Sequence, residues 1–281
     1  MAELSVLAND SDSTKKSNVG NSLPKLIIDV HTHILPRDIP KFKEKFGYGG
    51  FIQLDHFNNG NGNGSCTCGA RMMRDDGTFF RDIEANCWDA DARLQEMEEN
   101  TAFVHKAKDI HHVQVLSTVP VMFSYWTKPE DCLEVCHCLN DHIAEIVHKH
   151  PTRFVGLGTV PLQDIPLAIQ ELERCKQIGL KGVEIGTNVN QMNLYESQFL
   201  PFFAKCEELN MSVFIHPWEM MGEKQMGKYW LPWLVGMPAE TTRAICALLF
   251  SGIFTQFPTL RVLFAHGGGS FPGTFPRIEH G

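Results

Sequence analysis

Six short apolar runs recur along the chain, and the stretches between them carry helical spacing. The runs are LIIDVHTH (26–33), VQVLSTVP (113–120), FVGLGTVP (154–161), GVEIGT (182–187), SVFIHP (212–217) and RVLFAH (261–266). Each is continuous rather than alternating, the pattern of a parallel strand buried on both faces. PEDCLEVCHCLNDHIAEIVHKH (129–150), IPLAIQELERCKQIG (165–179) and SQFLPFFAKCEELN (197–210) read as amphipathic helices. Strand then helix, repeated, specifies a parallel α/β fold. Several runs end in a polar or ionisable residue, namely His31 and His33, Ser117, Thr187, His216 and His266. A (β/α)8 TIM barrel carries its chemistry at those ends, so a barrel is expected over an open doubly wound sheet. About six of the eight strands are countable within residues 25–281.

Composition narrows the rest. No apolar run approaches the roughly 18 residues that a membrane helix needs, and no spanning segment is expected. The 281-residue chain has 25 Lys and Arg against 33 Asp and Glu, a net charge of −8, and shows no basic stripe of the kind nucleic-acid binding requires. Nine cysteines are scattered through a sequence with no apolar secretion segment at its start, which points to free thiols in the cytosol. Residues 1–24 are rich in Ser, Asn and Asp and read as a disordered polar leader. NNGNGNGSCTCGA (58–70) reads as a flexible loop, and AFVHKAKDIHH (102–112) as an insertion whose His105, His111 and His112 are solvated. Glu96, Glu98 and Glu99 read as a helix face.

Asp29-Val30-His31-Thr32-His33 closes the first run. Residues two apart on an extended chain point to one side, so His31 and His33 can present both imidazoles to one point. That is a half-site for a divalent metal such as Zn²⁺, although two unrelated surface histidines would leave the same trace. His216 in FIHPW and His266 in FAHGGG end two further runs. Histidines at three separate strand ends converge in a barrel, which favours the metal reading. Three imidazoles leave an ion room for a carboxylate and a water, the open arrangement of a catalytic site. Such an ion lowers the pKa of its water toward 7, and the remaining histidine is then the natural general base. His266 is chosen for that role because the glycines after it let backbone amides approach a ligand, though they would equally serve a tight turn. A structural zinc site from Cys66 and Cys68 with Cys132, Cys136 and Cys138 lacks the usual paired spacing, and core or surface thiols are expected instead.

The words DVHTHILP, KFGYGGFIQL, FFRDIEANCWD, LSTVPVMFSYWTKPED, RFVGLGTVPLQ, FIHPWEM, KYWLPWLVGMPAETT and FAHGGGSFPGTFPRIEHG run in order from about residue 26 to the end. On these words the chain resembles the amidohydrolase superfamily, and within it the metal-dependent decarboxylases. The resemblance implies zinc held by His31, His33 and His216, with His266 as the base that activates water. It also implies that Arg81 and Arg277 pair the carboxylates of a small dicarboxylate substrate, the second lent by the neighbouring subunit of a homodimer, and that Trp230 and Trp233 line the pocket. An ordinary surface salt bridge and plain core aromatics are the simpler alternatives for these four. The implied reaction is non-hydrolytic decarboxylation of 2-amino-3-carboxymuconate 6-semialdehyde to 2-aminomuconate 6-semialdehyde in tryptophan catabolism, which limits quinolinate formation. Water adds to the unsaturated system and creates a saturated centre from which carbon dioxide leaves. The family's fourth ligand, an aspartate after the eighth strand, has no counterpart within the 281 residues. The chain is therefore expected to be a C-terminally truncated form whose alternative role is that of a dimer partner. A metal-dependent hydrolase is the rival reading among enzymes.

Overall fold

The computed structural model describes residues 25–60, 66–105 and 110–280. The leader expected over 1–24 lies outside the described residues. In chain order the elements are β1 (Lys25–His33), α1 (Phe42–Phe46), β2 (Ile52–Gly60), β3 (Cys66–Arg74), β4 (Phe79–Glu84), α2 (Ala90–His105) and β5 (Ile110–Ser117). There follow α3 (Pro129–Lys149), β6 (Phe154–Gly158), α4 (Ile165–Gln177), β7 (Gly182–Gly186), β8 (Asn188–Val189) and β9 (Met192–Asn193). The chain then forms α5 (Leu200–Glu208), β10 (Ser212–His216), α6 (Met237–Phe250), α7 (Ile253–Gln256), β11 (Val262–Phe264) and α8 (Phe271–His280).

The six apolar runs form one parallel sheet, in the order β1-β5-β6-β7-β10-β11. Helices cover one face of it. α3 starts at Pro129, whose fixed φ and missing N–H suit the first helical turn. Its Cys132, Val135, Cys136, Leu139, Ile143 and Ile146 recur at spacings of three and four and are all buried. α4 is capped by Asp164, whose carboxylate accepts from the Leu167 amide at 3.0 Å. Against these helices the strands turn Leu116, Val183, Ile185, Val213 and Ile215, all part of the main core. Alternate residues such as Leu157 and Phe214 face the opposite, inner side, where they pack on Ala265.

A β-bulge divides β1. Asp29 pairs with Gln114 and Thr32 with Leu116, so one extra residue is accommodated between them. Within the bulge, Val30 lines the inner hollow with Val115, Leu157 and Phe214. His31, the next bulged residue, also reaches the inner side, its ring 5.2 Å from that of Phe214. The sheet's inner floor and its histidines therefore sit in different registers of one strand.

Two expectations are corrected. The stretch 58–70 is not simply a flexible loop, because β2 runs to Gly60 and β3 begins at Cys66, with residues 61–65 outside the described residues. Together with β4 they make a three-stranded antiparallel sheet, which packs through Ile52, Ala70, Met72 and Ile83 on Trp88 and Val135. His111 and His112 are likewise not insertion residues; they pair with Leu26 and Ile27 as the start of β5. The side chain of His105 is outside the described residues, while Glu96, Glu98 and Glu99 are exposed on α2 as expected. No helix among the described residues is long and apolar enough to cross a membrane.

Candidate metal centre and substrate cleft

Four imidazoles converge at the C-terminal ends of β1, β10 and β11. Ring centroids lie 5.0 Å apart for His31 and His33, 5.1 Å for each of these with His216, and 4.9 Å for His266 with His31 and with His216. The donor nitrogens of His31, His33 and His216 all lie within 4.8 Å of one another, and no other group of this kind occurs among the described residues. In two of the rings the tautomer follows from the neighbours. Nδ1 of His33 lies 2.7 Å from the Thr118 carbonyl oxygen, and Nδ1 of His216 lies 3.0 Å from that of Pro217. A carbonyl can only accept, so each Nδ1 carries the hydrogen and each Nε2 keeps its lone pair. Nε2 of His33 stands 3.2 Å from Nε2 of His31.

The electrostatics agree with that geometry. Desolvation first, and the neighbouring His31 second, lower the His33 pKa to about 3. His216, buried and facing three other rings, is lowered to about 2. Burial likewise lowers His31 and His266 from their ordinary value. Neutral rings with inward lone pairs are what a divalent transition metal requires, so the donor set fits such an ion. The backbone of His33 is pinned from behind, because the buried Arg93 donates to its carbonyl oxygen at 2.5 Å and to the Gln114 side chain at 3.2 Å.

His266 differs from the other three in its backbone. It is the one histidine of the cluster with a left-handed backbone, φ +54°, in the turn that follows β11. A bulky residue holds that conformation only where its surroundings dictate it, and such residues gather at functional sites. Of the glycines after it, Gly269 serves packing, because a Cβ there would stand 2.4 Å from the Pro238 carbonyl oxygen. The tight-turn alternative holds for all three, since Gly267, Gly268 and Gly269 have φ of +62°, +83° and +63°, and only Gly267 has open space where a side chain would stand.

The expected substrate residues divide in two. Arg81 on β4 meets Trp230 and Trp233 around a cleft of about 700 Å³ that Phe79, Lys228 and Tyr229 also line. The Arg81 guanidinium lies 5.9 Å from the Trp233 ring centroid. Tyr229 and Trp230 are both left-handed, and the π-helical turn Pro232–Gly236 follows them. Such turns recur at functional sites. Arg277 does not join this cleft; it is exposed on α8. Cys132 and Cys136 are buried within α3 and Cys138 is half-buried, free thiols as expected, while the side chains of Cys66 and Cys68 are outside the described residues.

Sequence reasoning passed over three supports. Arg93 is one, and Glu184, which lies in the middle of β7 and is fully buried, is another. Burial pushes the Glu184 carboxyl well above its ordinary range. The third is Glu240, also fully buried, which accepts from the Thr187 hydroxyl, the Asn188 amide and the Met221 backbone N–H, each at 3.1 Å, and pairs with Arg243. It ties the end of β7 to the segment that follows His216.

A parallel half-barrel whose strand ends gather histidines around one point defines a metal-dependent amidohydrolase. The amidohydrolase family profile matches residues 28–280, and the chain belongs to that family. Its relatives narrow the class to carboxy-lyases. A 2-amino-3-carboxymuconate-6-semialdehyde decarboxylase of Dictyostelium discoideum is 54% identical, covering 91% of this chain and 67% of its own length. One of Caenorhabditis elegans is 39% identical, covering 90% and 71%. The chain thus spans about two thirds of the length of these curated relatives. Among solved structures, the apo IDCase of Metarhizium anisopliae shares the fold with a TM-score of 0.71 at 20% identity, over 92% of this chain and 69% of that one. A dihydroxybenzoic acid decarboxylase of Polaromonas, solved with bound manganese, shares it with a TM-score of 0.62 at 21% identity, over 90% and 69%.

Proposed function

We propose that the chain is a zinc-dependent, non-hydrolytic decarboxylase of 2-amino-3-carboxymuconate 6-semialdehyde, yielding 2-aminomuconate 6-semialdehyde in tryptophan catabolism and so limiting quinolinate formation. The observation that carries this reading is the convergence of the His31, His33 and His216 donor nitrogens beside a fourth, strained histidine. The 54% identical relative named for that activity supports the choice of substrate. His31, His33 and His216 would hold the ion, which when bound supplies Lewis acidity and a more acidic water. His266, kept neutral at physiological pH by its desolvation, takes a proton from water and delivers it to the carbon that carbon dioxide leaves. Arg81 engages one substrate carboxylate as a planar fork, and the aromatic rings of Trp230 and Trp233 flank the conjugated chain and exclude water. Arg277, exposed on α8, would be the residue lent to the second copy of a homodimer. The seven described cysteines are all free, which supports a reducing, cytosolic setting.

The test supplies the purified chain with zinc and follows loss of the semialdehyde together with release of carbon dioxide. Turnover is expected, and His266→Ala is expected to lower kcat by about 10²–10⁴-fold, the usual contribution of a positioned proton carrier. Turnover that survives in His266→Ala removes the base from the scheme. Hydrolysis of a lactone in place of carbon dioxide release would instead establish the hydrolase.

A further inference from the structure

Three glutamates of the described core are fully buried, and they differ in their partners. Glu171 accepts from Asn140 and Arg174, and Glu240 is saturated as described above. Glu184 has no well-formed hydrogen bond to either carboxyl oxygen, and the Ser117 hydroxyl is the side chain that acts on it most directly. A buried polar group left without partners costs enough free energy that its retention calls for a cause. Its position supplies one. Neighbours Val183 and Ile185 face the helices, so Glu184 faces the inner side, paired in register with Phe214. There its Oε1 stands 3.8 Å from Nδ1 of His33, and the Ser117 hydroxyl lies 3.3 Å from the same nitrogen. Nδ1 and Nε2 are on opposite edges of the ring, so a group behind Nδ1 does not share an ion with Nε2.

We propose that Glu184 is a positioning residue for the metal centre, holding the Nδ1 edge of the His33 ring so that Nε2 stays aimed at the ion. The inference rests on the metal reading above. A ligating imidazole is held in orientation by what accepts from and packs against its other nitrogen, and losing such outer support weakens metal binding. The Thr118 carbonyl accepts that hydrogen, while Glu184 and Ser117 close the pocket behind it.

The experiment measures Zn²⁺ affinity of the full chain, Glu184→Gln and Glu184→Asp by competition with a chromophoric chelator, and thermal unfolding of each metal-free form. Glu184→Gln is expected to weaken zinc binding about 10–100-fold, with a metal-free unfolding temperature equal to the parent's or higher. Glu184→Asp, which keeps a carboxyl group facing His33, is expected to stay within about threefold of the parent. Unchanged affinity in Glu184→Gln overturns the proposal. So does equal loss in both variants accompanied by a lower metal-free unfolding temperature, which marks a packing role. A parent chain that binds no zinc removes the metal reading itself, a result distinct from either.

Discussion

His33 and His216 titrate far below the roughly 6.5 of an unfolded histidine, because the folded chain denies their protonated forms water. Between about pH 6.5 and about 3 the unfolded chain therefore binds protons that the folded, metal-free chain refuses. Stability is full above that window and falls as the pH drops through it, by about 1.4 kcal/mol per pH unit for each ring. Urea unfolding of the metal-free chain at pH 7 and pH 5 should show this loss, and His216→Asn should flatten the slope by one ring's share. A variant slope equal to the parent's would mean that His216 is protonated in the fold. At this scale the sequence exposes the histidines, since each closes a strand and pairs with a visible motif. Glu184 stays hidden, because one glutamate in GVEIG looks the same whether its carboxyl meets solvent or the back of an imidazole, and only the register of β7 against β10 decides.

The parallel strands are legible because continuous apolar runs mark strands buried on both faces. The antiparallel sheet is not, because its strands are half-buried and the Asn and Gly residues of 58–64 look like a linker. A signal was nonetheless present in Asp76-Gly77, a turn dipeptide between β3 and β4 whose Gly77 has φ +86°. Glu240 shows how an element far from the imidazoles supports them: α6 sends one carboxylate under both the end of β7 and Met221. Glu240→Ala strips the acceptor from Thr187, Asn188, Met221 and Arg243 together. With Arg243 still reaching water, the expected loss is about 3 kcal/mol, the lower end for breaking a buried ion pair. Denaturant unfolding measures it, and a change below about 1 kcal/mol would show that water fills the space and takes over the bonds.

Among the described residues β1 and β11 each have one neighbour in the sheet, so both present an edge. The inner face beside those edges is apolar: Leu26, Ile28 and Val30 are 50%, 52% and 41% exposed, and Leu263 is 39%. Open edges with apolar side chains pair with other chains, and charge is the common remedy. The 281-residue chain should scatter light increasingly with concentration, and Ile28→Lys with Leu263→Lys should suppress this without changing the far-ultraviolet circular dichroism. Undiminished scattering would trace association to another surface, such as the exposed Tyr229, Trp230 and Leu234. The two halves of the proposed site also ride on different supports. The imidazoles hang from the parallel sheet, whereas Arg81 comes from the antiparallel hairpin and the tryptophans from the π-helical turn and the segment before it. On the proposed assignment, reactivity and substrate choice are inherited on separable pieces of chain, and the hairpin can drift toward a new acid while the imidazoles stand still.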